Sequence, residues 1–486
     1  MSKVRASLVL SAANSYLGLA LQVVSTAIVA RLLTPEELGT FALAAVLAAL
    51  ASTLRDFGVV EYLIQAREVT RELLAASLAL NLILSWSIAL ILLLVSVPVA
   101  DFYGSAGVGT VIRVQALSFL LIPFGAVTLA WYQREMDFRP IFQAAVASHV
   151  LSFVVVIVLA YAGFSYMSLA WSSVAGVAAT VAVALWKRPV WFPRWPSLRG
   201  TRRILPFGAF VSATSMTTAL GRGAPELVIG RVAGLTEVGL FGRAAALVEM
   251  FNRLVVQATR PVFMPYLADG LRTRGTVTPS LLRAMGLLTV IGWPFLAVAA
   301  ALAFPAIRLM YGVQWVGVVS VAQLLCLAAA LELLHRLSDN ALLSLGRAGT
   351  AYKVQLGVQA LRVIGILGVL AGGLTGAAWG LCGAAVGGLL LNQWVLHRHI
   401  GLRLRDVAEV AGRSGAVTVV TVAPVLFLVW LLPPDEANYL RIGTGGASLA
   451  ALAWLLIVWA LDHPVWADLQ RMLRLARQRL RRPGTA

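Results

Sequence analysis

Acidic residues are scarce in this sequence, 21 Asp and Glu against 39 Lys and Arg, and charged residues of either sign fill only 12% of its 486 positions. Soluble globular domains carry about 25% charged residues, so a water-solvated fold is excluded. Hydrophobic residues make up 60% of the chain and the mean hydropathy is +0.86, which makes lipid the main solvent. Cysteine is nearly absent: Cys326 and Cys382 both fall inside apolar runs, where they read as small buried side chains and not as a disulfide or metal pair. No GxxxxGK[ST] loop is present, which removes a phosphate-binding ATPase pump. Stretches between apolar runs do not exceed roughly 25 residues, too short for a soluble catalytic domain. The formal net charge of +18 would suggest nucleic acid in a soluble protein, but the basic residues sit in loops between apolar runs. That is the positive-inside pattern of membrane topology, so no nucleic-acid partner is expected.

What is present is a succession of apolar stretches long enough to cross about 30 Å of hydrocarbon. Spans are predicted at 8–30, 38–62, 73–97, 111–131, 141–162 and 167–186, then at 204–229, 238–259, 285–303, 316–334, 351–371 and 377–396, with a final pair at 416–432 and 442–461. The first run follows Lys3 and Arg5, is longer than the core of a cleaved leader and lacks a small-residue cleavage site, so it reads as a span. Loops holding Arg67 and Arg71, Arg134 and Arg139, and the basic stretches 187–203, 272–283, 336–347 and 398–413 fall on one side, the cytoplasm. The alternate loops add little beyond Arg31, Arg231, Arg308 and Arg441, which puts both termini in the cytoplasm of a bacterial inner-membrane protein. Linker 187–203 interleaves Pro189, Pro193 and Pro196 with Trp191, Phe192 and Trp195, the composition of an extended, interface-lying connector. After Asp462, Trp466, Leu469, Leu473 and Leu480 share a helical face ringed by Arg471, Arg474, Arg477 and Arg481, the pattern of a helix lying on anionic membrane lipids.

An internal repeat divides the chain. The run Val29-Ala30-Arg31-Leu32-Leu33 to Glu37-Leu38-Gly39-Thr40-Phe41 recurs ungapped as Ile229-Gly230-Arg231-Val232-Ala233 to Glu237-Val238-Gly239-Leu240-Phe241. Both copies join the first two spans of a half, so the halves share one topology and are related by an axis along the membrane normal. The expected division is an N-terminal lobe at 1–203, a C-terminal lobe at 204–413, and a last pair with its basic tail at 414–486. The Gly of each copy permits a tight start to the second helix, and the Arg can cap the last carbonyls of the first.

The segment Ala30-Arg31-Leu32-Leu33-Thr34-Pro35-Glu36-Glu37-Leu38-Gly39, with Phe57-Gly58 and Ile64-Gln65, resembles the polysaccharide-transport branch of the multidrug/oligosaccharidyl-lipid/polysaccharide superfamily, the Wzx-type flippases. Tyr132-Gln133-Arg134-Glu135-Met136-Asp137-Phe138-Arg139 and Leu227-Val228-Ile229-Gly230-Arg231 are similar to the group that includes the colanic-acid translocase. The resemblance implies an all-α integral membrane fold of about fourteen transmembrane helices, two six-helix lobes around a central cavity plus a C-terminal pair. It implies a monomer that carries a lipid-linked oligosaccharide or polysaccharide precursor between leaflets by alternating access, without a cofactor. Glycan polymerases or glycosyltransferases are the candidate protein partners. Two other classes compete. A drug or cation antiporter of the same superfamily would want an acidic cavity. A membrane glycan polymerase or ligase would want a large outer loop bearing catalytic groups.

Ionisable side chains inside spans cost about 2.5–3.5 kcal/mol each on insertion scales, so they face protein or a wet cavity. The eighth span spaces Glu249, Arg253, Gln257 and Arg260 along one helical stripe. Ser212, Ser215, Arg222 and Glu226 share a face of the seventh, Gln355, Gln359 and Arg362 a face of the eleventh, and the second contributes Arg55 and Asp56. Arginine brings a permanent charge and a fork that matches phosphate oxygens. Candidate cargo-binding residues are therefore Arg253, Arg362, Arg222, Arg55, Gln257 and Gln359, with Glu249, Glu226 and Asp56 as counter-ions or ion-coupling groups. The plainer alternative makes Glu249 with Arg253, and Arg222 with Glu226, i,i+4 pairs that neutralise each other. Arg55 could also snorkel to the interface. Arg362 has no acid within one turn of its own helix. His149, Glu332, His335 and Arg336 could relay protons, but membrane histidines are more often packed and hydrogen-bonded, and these are not chosen.

Overall fold

In lipid every backbone N–H and C=O has to be satisfied within the chain, so an apolar sequence of this kind is confined to helices or a closed barrel. The computed structural model describes residues 2–56, 58–66, 68–193, 195–199, 201, 205–433 and 435–460, and among them no strand occurs. The basic C-terminal tail lies outside the described residues. Two compact units divide the chain, Met1–Gly242 and Arg243–Ala486.

Unit 1 holds α1 (Ser2–Leu32), α2 (Pro35–Asp56), α3 (Val59–Gln65), α4 (Arg71–Tyr103), α5 (Ala106–Leu121), α6 (Pro123–Arg134), α7 (Phe138–Tyr161), α8 (Met167–Trp186), α9 (Leu205–Val232) and the start of α10 (Leu235–Phe251). Helix starts are set by side chains: Thr70 accepts from the Leu73 amide at 3.2 Å and Asp137 from the Arg139 amide at 3.2 Å. The path bends by 54° between α5 and α6, where Pro123 lacks the N–H that would carry one helix through. Leu43, Ala44, Val108, Val111, Ile112, Phe119 and Ala170 form one buried cluster of this unit. The linker packs against helices of its own unit. Phe192 is buried against Leu63, Leu74, Val127 and Ala130, and Trp191 meets Trp131 edge-on with ring centroids 5.0 Å apart.

Unit 2 continues α10 through a π-helical turn, Asn252–Val256, into α11 (Gln257–Arg274). It then runs α12 (Thr278–Ala301), α13 (Ala303–Tyr311), a 3-10 turn Val313–Val318, α14 (Val319–Leu333), α15 (Ser338–Ser344), α16 (Ala348–Ile366), α17 (Val369–Ile400), α18 (Leu404–Leu431) and α19 (Tyr439–Ala460). Hydrophobicity gives little drive for helices to associate in lipid, so small residues and interhelical hydrogen bonds decide the contacts. A Cβ on Gly380 would overlap the Gly365 carbonyl, and one on Gly376 would overlap that of Gly368, so α16 and α17 meet backbone to backbone. The last pair is fastened to α12 by polar contacts: Thr289 Oγ1 and Ser414 Oγ lie 2.7 Å apart, and Trp454 Nε1 donates to the Val290 carbonyl at 3.1 Å.

The all-helical membrane class is as expected. Among the described residues nine helical stretches are long and apolar enough to cross a bilayer, or ten if the bent α5–α6 pair is one span. The other four expected spans fall on α1, α9, the α10–α11 run and α16.

Candidate functional site

In unit 1 the signature segments prove to be joints. Thr34 and Glu37 form a reciprocal cap at the start of α2: the Thr34 amide donates to Glu37 Oε2 at 2.7 Å, and the Glu37 amide to Thr34 Oγ1 at 3.3 Å. The other carboxylate oxygen of Glu37 accepts from the Ser165 hydroxyl, tying the turn to the loop between α7 and α8. Gly39 and Gly239, equivalent positions of the repeat, pack against each other. A Cβ on Gly39 would run into the Leu235 carbonyl, and one on Gly239 into the Pro35 carbonyl. Arg231 lies over the Phe102 ring at 5.0 Å, and Tyr103 donates to the Leu227 carbonyl at 3.3 Å. Arg134 Nη1 reaches the carbonyls of Leu63 at 2.8 Å and of Ile64 and Ala66, closing the end of α3. Two signature segments far apart in sequence therefore go together because one caps the other.

Unit 2 gathers intramembrane charge. Arg253, inside the π turn, is paired to Glu249 on α10 at 3.0 Å, and both side chains stay partly exposed. Such turns interrupt the 3.6-residue period and are frequent at functional positions. Gln257 and Arg260, the rest of that stripe, have side chains outside those described. Arg362 on α16 meets Glu332 on α14, Nη1 to Oε1 at 3.5 Å, an acid supplied by a neighbouring helix and invisible from its own. Arg336 approaches the other oxygen of Glu332 at 3.9 Å. Around them, Asn392 Nδ2 lies 3.4 Å from His335 Nδ1 and donates to the Gly388 carbonyl at 2.8 Å. Gln359 is 8% exposed, and its Oε1, Arg362 Nε and His335 Nε2 are buried atoms with no hydrogen-bond partner among the described residues. The remaining candidates lie in unit 1: Arg222 is exposed on α9, Glu226 is half-buried there, and Arg55 is half-buried in the last turn of α2. Asp56 has a side chain outside those described.

These arrangements can be set beside known proteins. A family model described as polysaccharide biosynthesis protein matches residues 28–320, more than half of the chain. The chain belongs to the polysaccharide biosynthesis protein family. This agrees with the resemblance to Wzx-type flippases. The teichuronic acid biosynthesis protein TuaB of Bacillus subtilis is 25% identical over 393 residues, 79% of this chain and 80% of that protein. The lipopolysaccharide biosynthesis protein WzxC of Escherichia coli is 24% identical over 392 residues, 79% and 77% of the two chains. ExoT of Rhizobium meliloti, a succinoglycan biosynthesis transport protein, is 23% identical over 472 residues, 96% of this chain and 94% of its own. Among solved structures, the lipid II flippase MurJ in an inward closed conformation superposes with a TM-score of 0.74 at 11% identity, over 94% of this chain and all of that one. An inward-facing MATE-family multidrug transporter gives 0.60 at 16% identity, covering 78% and 94%. The fold of this family member is thus that of multi-pass membrane transporters.

Two arginines of this family member were missed by reading stripes. Arg243, in α10, has its guanidinium 5.5 Å from the Tyr311 ring and 6.0 Å from the Trp315 ring. Arg113, in α5, donates from Nε to Ser96 Oγ at 3.2 Å. The rule that flagged the others applies to both, since each is a lone charge in an apolar run. They escaped because no second ionisable residue falls on the same face to draw the eye.

Proposed function

We propose that this polysaccharide biosynthesis family member translocates a lipid-linked oligosaccharide or polysaccharide precursor from the cytoplasmic to the periplasmic leaflet, by alternating access of the halves 1–203 and 204–413. The observation that carries the reading is a fold shared along 94% of the chain with a lipid II flippase, in a chain whose relatives are named for lipopolysaccharide, teichuronic acid and succinoglycan biosynthesis. Intramembrane arginines fit an anionic cargo: Arg253 and Arg362 would bind its phosphate-bearing headgroup, with Arg222, Arg55, Gln257 and Gln359 along the path, and Glu249, Glu226 and Asp56 as counter-ions. Both termini would face the cytoplasm, and a Cys placed at Leu198 would resist an impermeant thiol reagent added from outside. The likeness to a MATE transporter favours a cation antiporter as second reading.

Deleting the gene and identifying by mass spectrometry the lipid-linked glycan held on the cytoplasmic leaflet tests the proposal. Accumulation of none would turn the assignment to the antiporter. Complementation then separates a cargo role of Arg253 from its pairing with Glu249. Arg253→Ala strands a carboxylate, and adding Glu249→Gln removes that fault, so restored abundance without export marks a cargo residue.

A further inference from the structure

Among the described residues, unit 2 contains two Arg–Glu contacts between elements distant in sequence, and they differ in kind. Arg308 holds Glu436 as a fork, with Nε at 2.8 and 2.9 Å from the two carboxylate oxygens and Nη2 at 2.6 Å from one of them. Arg362 touches Glu332 through one nitrogen and one oxygen, 3.5 Å apart. The first is a closed clamp at the short distances of charge-assisted bonds; the second leaves most of the guanidinium fork unused. Glu332 is also the one ion-pair partner of Arg362 among the described residues, whereas Glu332 has a second cation in Arg336 at 3.9 Å. Asp339 on α15 is within electrostatic reach of Arg336 as well. Glu332 is thus shared by Arg336 and Arg362, so the Arg362 charge is already met by a carboxylate. An anion that takes Arg362 as its counter-ion therefore competes with a resident carboxylate. Arg336 can keep that carboxylate compensated once it has moved.

We infer that Glu332 is the resident occupant of an anion site built on Arg362, a stand-in for phosphate oxygens that gives way when a diphosphate group binds and returns to expel it. The inference rests on the flippase reading and names the event at one of its arginines. A second, independent observation lies beside the pair. Gln359, one turn from Arg362 on the same face of α16, is more than nine-tenths buried, and among the described residues neither its Oε1 nor the buried Arg362 Nε–H has a partner. A buried acceptor and a buried donor without partners are a costly shortfall. A guest carrying phosphate oxygens together with a hydroxyl, as a glycosyl diphosphate does, satisfies both.

The test measures binding of inorganic diphosphate, and separately of a polyprenyl diphosphate, to the full-length protein in lipid nanodiscs by calorimetry. Glu332→Gln keeps the shape and drops the competing charge, so both probes should bind roughly three- to tenfold more tightly than to wild type. Adding Arg362→Ala should abolish the gain. Export at matched abundance should fall in Glu332→Gln, because nothing then drives the anion off. A merely structural pair would lose affinity and export together. Glu332→Asp, which keeps the charge and withdraws the carboxylate by one methylene, should give a smaller gain and serves if the Gln variant is not recovered. Unchanged or weaker diphosphate binding by folded variants overturns the inference. A gain for inorganic diphosphate alone overturns its cargo form. A gain with both probes alongside a deletion strain that accumulates no lipid-linked glycan supports the anion site while removing the flippase reading.

Discussion

Substituting Gly239 by Ala puts a methyl group where the Pro35 carbonyl and the Gly39 amide already stand. Both neighbours are backbone in the first turn of α2, and that turn is fixed by the Thr34–Glu37 cap and by Ser165. Relief by rotating a side chain is therefore closed off, and the helices must separate. Overpacking of this kind costs about 1–3 kcal/mol. Alanine returns up to about 1 kcal/mol through its helix propensity, which leaves a net loss of up to about 2 kcal/mol. For a unit of this size that is a fall of up to about 8 °C in melting temperature. The comparison is Gly242→Ala, three residues on in the same helix, where an added Cβ meets nothing within 4 Å and only the propensity gain remains. Fluorescence-detected size-exclusion after heating, run on both variants in one detergent, gives the difference. If Gly239→Ala melts with Gly242→Ala or above it, the backbone contact between the repeat copies is not what these glycines are for.

Arg134→Ala should lower membrane abundance and melting temperature, by about 2 kcal/mol, because three carbonyls at the end of α3 lose one charged donor; pulse-chase and thermal stability measure it, and Lys should restore part of the loss. Glu436 lies in the loop before α19, and the hydrogen bonds from Arg308 hold its carboxyl below the ordinary value near 4.5. A carboxylate depressed in the folded state stabilises above its unfolded pKa and loses that contribution as pH falls through the lower folded value. Wild type should therefore lose more melting temperature than Glu436→Gln on acidification from about pH 5 to pH 3, a range that starts just above the unfolded carboxylate pKa. Parallel curves would show that the fork contributes nothing to stability.

Much of the architecture was legible because lipid leaves so few solutions. Run length marked the helices, and the turn signatures pointed to the family. Linker 187–203 was read from its prolines as an extended connector, and composition could not reveal that Phe192 turns inward: an aromatic suited to the interface is equally suited to a pocket between helices. For the candidate site, residues of one helix were within reach and residues of two were not. Glu249 and Arg253 could be paired from spacing alone, since i and i+4 are neighbours on any helix, and the structure places them 3.0 Å apart. Arg362 was singled out because its own helix offers no acid, and that remains true of the helix. Its partner, Glu332, lies thirty residues earlier on α14, and packing alone brings the two together. Periodicity along one helix cannot encode which face of another it will meet. The sequence by itself determined the solvent, the helices and the family. The tertiary structure decided which charges are shared between helices, because that depends on which face of one helix packs toward another.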